Sequence, residues 1–206
     1  QGAIAILRVS GSESIPIAKR IFRPKKAQEN WLPRVLVLGD IVNSSDEKID
    51  QVLLSVFLGP ASYTGEDLIE ITCHGGMLVT QAVLDTIILA GARLAEPGEF
   101  SKRSFLNGKM DLTQAEAVMD LISARTALAL KAANSQLEGR LGNRINELKQ
   151  SLLAILAHVE AYIDFPEEDI DPDGNESIIQ KLVSLSESVG NLIQTAEQGR
   201  ILREGL

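Results

Sequence analysis

Aliphatic and polar residues are spaced along this chain in two different ways, strand-like at first and helical later. Residues 3–9 (AIAILRV) are aliphatic apart from Arg8 and stop at Ser10-Gly11, which predicts a strand and a turn. Residues 14–22 predict a short helix, with Pro16 tolerable in its first turn. Residues 23–33, with Pro24, Lys25, Lys26 and Pro33, read as a linker. Residues 35–42 and 51–57 predict two strands joined as a hairpin by the polar turn 43–48. Over residues 67–73 the period is two: Ile69, Ile71 and Cys73 share one face, and Leu68, Glu70 and Thr72 share the other. His74-Gly75-Gly76 then turns the chain into a helix over 77–90, whose apolar stripe is assigned to Leu78, Ala82, Leu84, Ile87 and Ile88. Residues 93–95 are a brief strand candidate.

From Asp111 onward the spacing is helical throughout. Asp111 followed three residues later by Gln114 predicts a capping box, ahead of Leu112, Ala115, Val118, Met119 and Ile122 at helical intervals. A second helix is expected to restart at Thr126 and run to about Tyr162 along a narrow seam that includes Leu130, Ala133, Leu141, Ile145, Leu152 and Ile155. Such a seam requires a packing partner. Residues 167–173 (EEDIDPD) read as a solvated loop, after which Asn175 caps a final helix to about Gln198. The fold class expected is therefore an α+β amino-terminal domain over 1–110 and an all-α helical domain over 111–206.

Composition narrows the classes open to the chain. With 45% hydrophobic and 23% charged residues in 206, it belongs with globular proteins. Its one cysteine, Cys73, excludes an internal disulfide framework and fits a reducing compartment. The longest apolar run is interrupted by His158 and is too short to span a bilayer, so a cytoplasmic protein without membrane attachment is expected. Positive and negative residues balance up to Met110, and the whole net charge of −8 lies beyond it. A phosphate-backbone binding face is not expected in that acidic second part. The first residues already resemble a strand and Leu206 follows a helical run, so the chain is expected to belong to something longer.

Unusual polar residues concentrate between Tyr63 and Ala117, around Gly65, Gly75, Gly76, Gly98 and Gly108. They include Glu66, Asp67, Glu70, His74, Glu99, Arg103, Asn107, Lys109 and Asp111. Glu70 reads either as a polar residue on the open face of a half-exposed strand or as a carboxylate meeting a ligand's donor edge. In the second case each charged hydrogen bond contributes about 1.5–3 kcal/mol, and pterin, guanine and arginine all present such an edge. Arg8 and Lys109 are either solvated or a pair of cations for an anionic tail. His74-Gly75-Gly76 is either a turn that needs glycine or an anion-attracting helix start. A metal centre is not expected, because Cys73 and His74 are adjacent on a strand and His158 is the only other histidine. Gly108-Lys109 is not a triphosphate loop, since Arg103 and Met110 stand where glycine and Ser or Thr are needed.

Taken together, GAIAILRVSG, SYTGEDLIEITCHGG, PGEFSKRSFLNGKMDLTQAEAVMDLI, NSQLEGRL, AYIDFPEEDI and QGRILREGL resemble, in this order, the tRNA-modification GTPase family called MnmE or TrmE. The resemblance implies an amino-terminal domain like the folate-binding part of aminomethyltransferases, which forms homodimers and binds 5-formyl-tetrahydrofolate or a related one-carbon tetrahydrofolate. It implies a helical domain interrupted by an inserted G domain that hydrolyses GTP with Mg and K. It also implies a flavoprotein partner of the MnmG (GidA) type, and a tRNA whose wobble uridine is modified at carbon 5. The family's folate contacts fall on Arg8, Glu70 and Lys109. Glu70 is expected to hold the pterin donors, with the two cations on formyl, carbonyl or glutamate-tail oxygens. No catalytic residue is assigned. The G domain is expected after Leu206, so the chain as written is not expected to hydrolyse GTP. Other readings are a dimerisation scaffold with a vestigial pocket and a standalone folate-dependent aminomethyltransferase.

Overall fold

The computed structural model describes residues 2–26, 31–164 and 174–204. The chain divides into two compact units, Gln1–Met110 and Asp111–Leu206.

In the first unit the order is β1 (Ile4–Ser10), α1 (Ser14–Ile21), β2 (Phe22–Pro24), β3 (Val37–Val42), β4 (Lys48–Phe57), β5 (Leu68–His74), α2 (Met77–Leu89) and α3 (Glu99–Leu106). The strands form one five-stranded sheet in the order β1-β5-β4-β3-β2, and every pairing is antiparallel. The β3–β4 hairpin and the two-residue alternation of β5 are present as the sequence predicts. Ile69, Ile71 and Cys73 are buried and Glu70 and Thr72 only half-buried, while Leu68, expected on the Glu70 side, is buried as well. One sheet face joins Val52, Leu54, Ile69 and Ile71 to Ile17, Ala18, Val83 and Ile87 in a single core.

Three further expectations change in this unit. Residues 22–24, read as the last residue of a helix and the first two of a linker, form β2, because Phe22 is 2% exposed and meets Trp31 edge to face. Residues 93–95 form no strand; the sheet ends at β1 and β2, and Arg93 pairs with Glu99. On α2 the buried positions are Val83, Thr86 and Ile87, while Leu78 is exposed. This helix is apolar nearly all round, so its sequence carries little directional signal.

The second unit holds α4 (Leu112–Ser123), α5 (Ala127–Leu137), α6 (Arg140–Asp164) and α7 (Gly174–Glu204). The capping box is present: the Asp111 carboxylate accepts from the Gln114 amide at 2.8 Å and the Gln114 side chain accepts from the Asp111 amide at 2.9 Å. Thr126 caps α5 through its hydroxyl, which accepts from the Ala129 amide at 3.1 Å. The single helix expected from Thr126 to Tyr162 is two helices, broken at Gly139, whose φ of 77° is left-handed and incompatible with continuing a right-handed helix. Of its seam, Ala133 and Ile155 are buried, whereas Leu130, Leu141, Ile145 and Leu152 are exposed. The final helix includes Gly174 and continues past Gln198 to Glu204. The loop expected at 167–173 lies outside the described residues. Among the described residues no helix is long and apolar enough to cross a membrane.

Candidate functional site

Antiparallel register sets Arg8 directly opposite Glu70, and Glu70 opposite Ser55, on the face of the sheet turned away from the core. Residues opposite one another across paired strands point to the same side, so the two side chains meet. Arg8 Nε donates to Glu70 Oε1 at 2.7 Å, with the side chains 46% and 24% exposed. The Arg8 guanidinium also lies over the Tyr63 ring, 5.6 Å from its centroid.

Tyr63 belongs to a loop gripped by α3 and the turn after it. Ser101 Oγ and the Tyr63 hydroxyl are 3.1 Å apart, Ser104 Oγ donates to the Tyr63 carbonyl at 2.8 Å, and Asn107 Nδ2 donates to the Thr64 carbonyl at 2.8 Å. Ser104 and Thr64 are fully buried. Lys109 reaches the same loop: a Cβ added to Gly65 would lie 3.2 Å from Lys109 Cγ and 3.0 Å from Asn107 Cβ. Gly65 itself has φ of +80°, a backbone conformation natural to glycine. Arg8 and Glu70 are thus in direct contact, and Lys109 lies against the loop at Gly65. A cavity of about 420 Å³ is lined by Arg8, Ser10, Ser14, Ile87 and Arg103, but Glu70 and Lys109 are not among its lining residues.

Glu66 and Glu99 form the charged support behind the loop. Arg103 Nη1 donates to Glu66 Oε2 at 2.9 Å, and Ser10 Oγ donates to the same oxygen at 2.9 Å. Arg93 and Arg103 both donate to Glu99, at 2.8 Å each. Hydrogen bonds from Arg93, the Glu96 amide and Arg103 hold the Glu99 carboxyl far below the usual carboxylate range. The same contacts, with Glu99 foremost and Glu66 second, raise Arg103. Asp67 accepts from the Gly59 amide at 2.9 Å and so fixes the far end of the loop.

At the other end of β5, Asp50 accepts from the His74 amide at 2.9 Å and lies 2.7 Å from His74 Nδ1. Burial pushes the Asp50 carboxyl up, but the His74 and Gln51 hydrogen bonds outweigh it and hold it below its ordinary value. Cys73 is buried, and that burial, with the Asp50 charge behind it, raises its thiol. Among the described residues no group of three His, Cys, Asp or Glu side chains could hold a metal ion. Tyr63, Ser101 and Ser104 were not singled out in the sequence; nothing but the structure shows that they hold the loop.

Known proteins resemble this chain along its whole length. The family described as GTP-binding protein TrmE N-terminus matches residues 1–109, and the MnmE helical domain matches residues 112–206. The chain is 53% identical over 206 residues to the tRNA modification GTPase MnmE of Akkermansia muciniphila, covering 100% of this chain and 46% of that protein. It is 48% identical over 208 residues to the tRNA modification GTPase MnmE of Clostridioides difficile, covering 100% of this chain and 45% of that protein. The chain therefore spans about half the length of these relatives. With an α+β unit matching the first family and helices matching the second, this chain belongs to the MnmE (TrmE) family of tRNA-modification GTPases.

Proposed function

We propose that this chain is the folate-binding and dimer-forming portion, with the first part of the helical domain, of a cytoplasmic GTPase that modifies carbon 5 of the tRNA wobble uridine together with a flavoprotein partner. The observation that carries the folate reading is the Arg8–Glu70 pair on the open sheet face, with Lys109 brought to the adjoining loop at Gly65. Glu70 is engaged through Oε1 and remains partly exposed, so its carboxylate fits the paired donors of a pterin. Arg8 and Lys109 supply the cations that a formyl, carbonyl or glutamate-tail oxygen requires.

Dimer formation is supported by the same sheet face. Ile6, Thr72, Leu53 and Leu38 are in register across it, and Ile4, Ile6 and Leu38 are exposed. GTP, Mg and K are assigned to the part of the relatives' length that this chain does not span. The exposed apolar side chains of α6 and α7, including Ile145, Leu152, Leu182 and Ile193, are suited to packing against that remaining length.

The test is calorimetric titration of the full-length protein with 5-formyl-tetrahydrofolate, together with its melting temperature. A genuine ligand stabilises the protein by mass action, by about 2.7 kcal/mol at a hundredfold excess over Kd, and so raises the melting temperature. No heat of binding and no thermal shift would leave the scaffold reading, in which the pocket is vestigial.

A further inference from the structure

We propose that Tyr63 is a positioning residue for Arg8, its ring holding the guanidinium beside Glu70 while α3 holds the ring. The inference rests on the folate reading above and adds a residue to that site. Arginine has a long, flexible stem, and one hydrogen bond through Nε leaves the rest of its head group to be placed by other contacts. The contact that does so here is the face of Tyr63, 5.6 Å from the guanidinium carbon to the ring centroid.

The ring is fixed at both ends. Its hydroxyl meets Ser101 Oγ at 3.1 Å, and its backbone carbonyl accepts from the fully buried Ser104 at 2.8 Å. The next residue, Thr64, is fully buried, lies 2.6 Å from Ser10 Oγ through its hydroxyl, and accepts from Asn107 through its carbonyl. A ring anchored this way is a rigid shelf at the flank of Glu70. A ligand whose donors take up the Glu70 carboxylate competes with Arg8 Nε for it. The Tyr63 face does not depend on that carboxylate, so it keeps the cation at the site while Glu70 changes partner.

The experiment is a double-mutant cycle in the full-length protein, read as the Kd for 5-formyl-tetrahydrofolate. Tyr63→Leu and Tyr63→Met both remove the ring, and the flexible Met variant keeps the cycle usable if the Leu variant does not fold. Each is expected to weaken binding roughly fivefold, whereas Tyr63→Phe retains the π-face while losing the Ser101 contact, and falls between those variants and wild type. In an Arg8→Ala background the Tyr63 substitutions should cause no further loss, because the residue they act through is gone. Wild-type affinity in both ring-deletion variants overturns the proposal, and so does the same fivefold loss persisting without Arg8. Absence of binding by the unsubstituted protein overturns the folate reading itself, and this inference with it.

Discussion

Arg8 and Glu70 are 62 residues apart in the chain and 2.7 Å apart in space, joined across the β1–β5 pairing. Replacing Glu70 with Ala removes the only carboxylate of that pair. The predicted result is a loss of at least about 1.5 kcal/mol in 5-formyl-tetrahydrofolate binding, with the fold retained because the site is partly exposed. Calorimetry on a variant shown by circular dichroism to be folded checks this, and unchanged affinity would remove Glu70 from the site.

Gly65→Ala forces a Cβ onto a residue at φ +80° and against Asn107 and Lys109. Strain at such a position costs roughly 1–3 kcal/mol. Denaturant unfolding should show that loss of stability, and folate affinity should fall as well because the Lys109 stem has to move. A variant as stable as wild type would mean the loop adjusts without cost.

Acid should loosen the support behind the loop. The Glu99 carboxyl is depressed below its ordinary value of 4.5, so its contribution to stability is complete above that value and is lost as pH falls towards the depressed one. The melting temperature of wild type should therefore decline on acidification from about pH 4.5, and Glu99→Gln should flatten that part of the profile. Parallel profiles for the two proteins would contradict the assignment.

Asp50→Ala leaves the His74 amide and ring without their acceptor at the end of β5. Asp50 is largely buried, and losing a charged acceptor there is expected to cost about 2 kcal/mol. Urea unfolding would measure it. Hydrogen exchange at the His74 amide should accelerate in the same variant, which distinguishes a local loss from a general one.

Much of this was readable in the residues themselves. The alternation around Glu70 placed it on the open face because a strand has a strict period of two, and Asp111 with Gln114 announced a helix start because both partners of a capping box are local in sequence. The break at Gly139 is hidden because the apolar spacing continues on both sides of it, although its backbone ends one helix and lets the next begin. α2 misled for the opposite reason, having apolar residues on too many sides for a stripe to stand out. The grip of Ser101, Ser104 and Asn107 on the loop at Tyr63 depends on residues about 40 positions away, a distance over which sequence spacing carries no directional information.

The strand order has a consequence for biosynthesis. β2, β3, β4 and β5 each lie beside their sequence neighbour, but β1, the first to leave the ribosome, has β5 as its partner. It must wait for the chain to grow past His74 before its hydrogen-bonding edge is covered. The meeting of Arg8 with Glu70 therefore closes a span of 62 residues, and a nascent domain cannot acquire that pair before β5 has been synthesised.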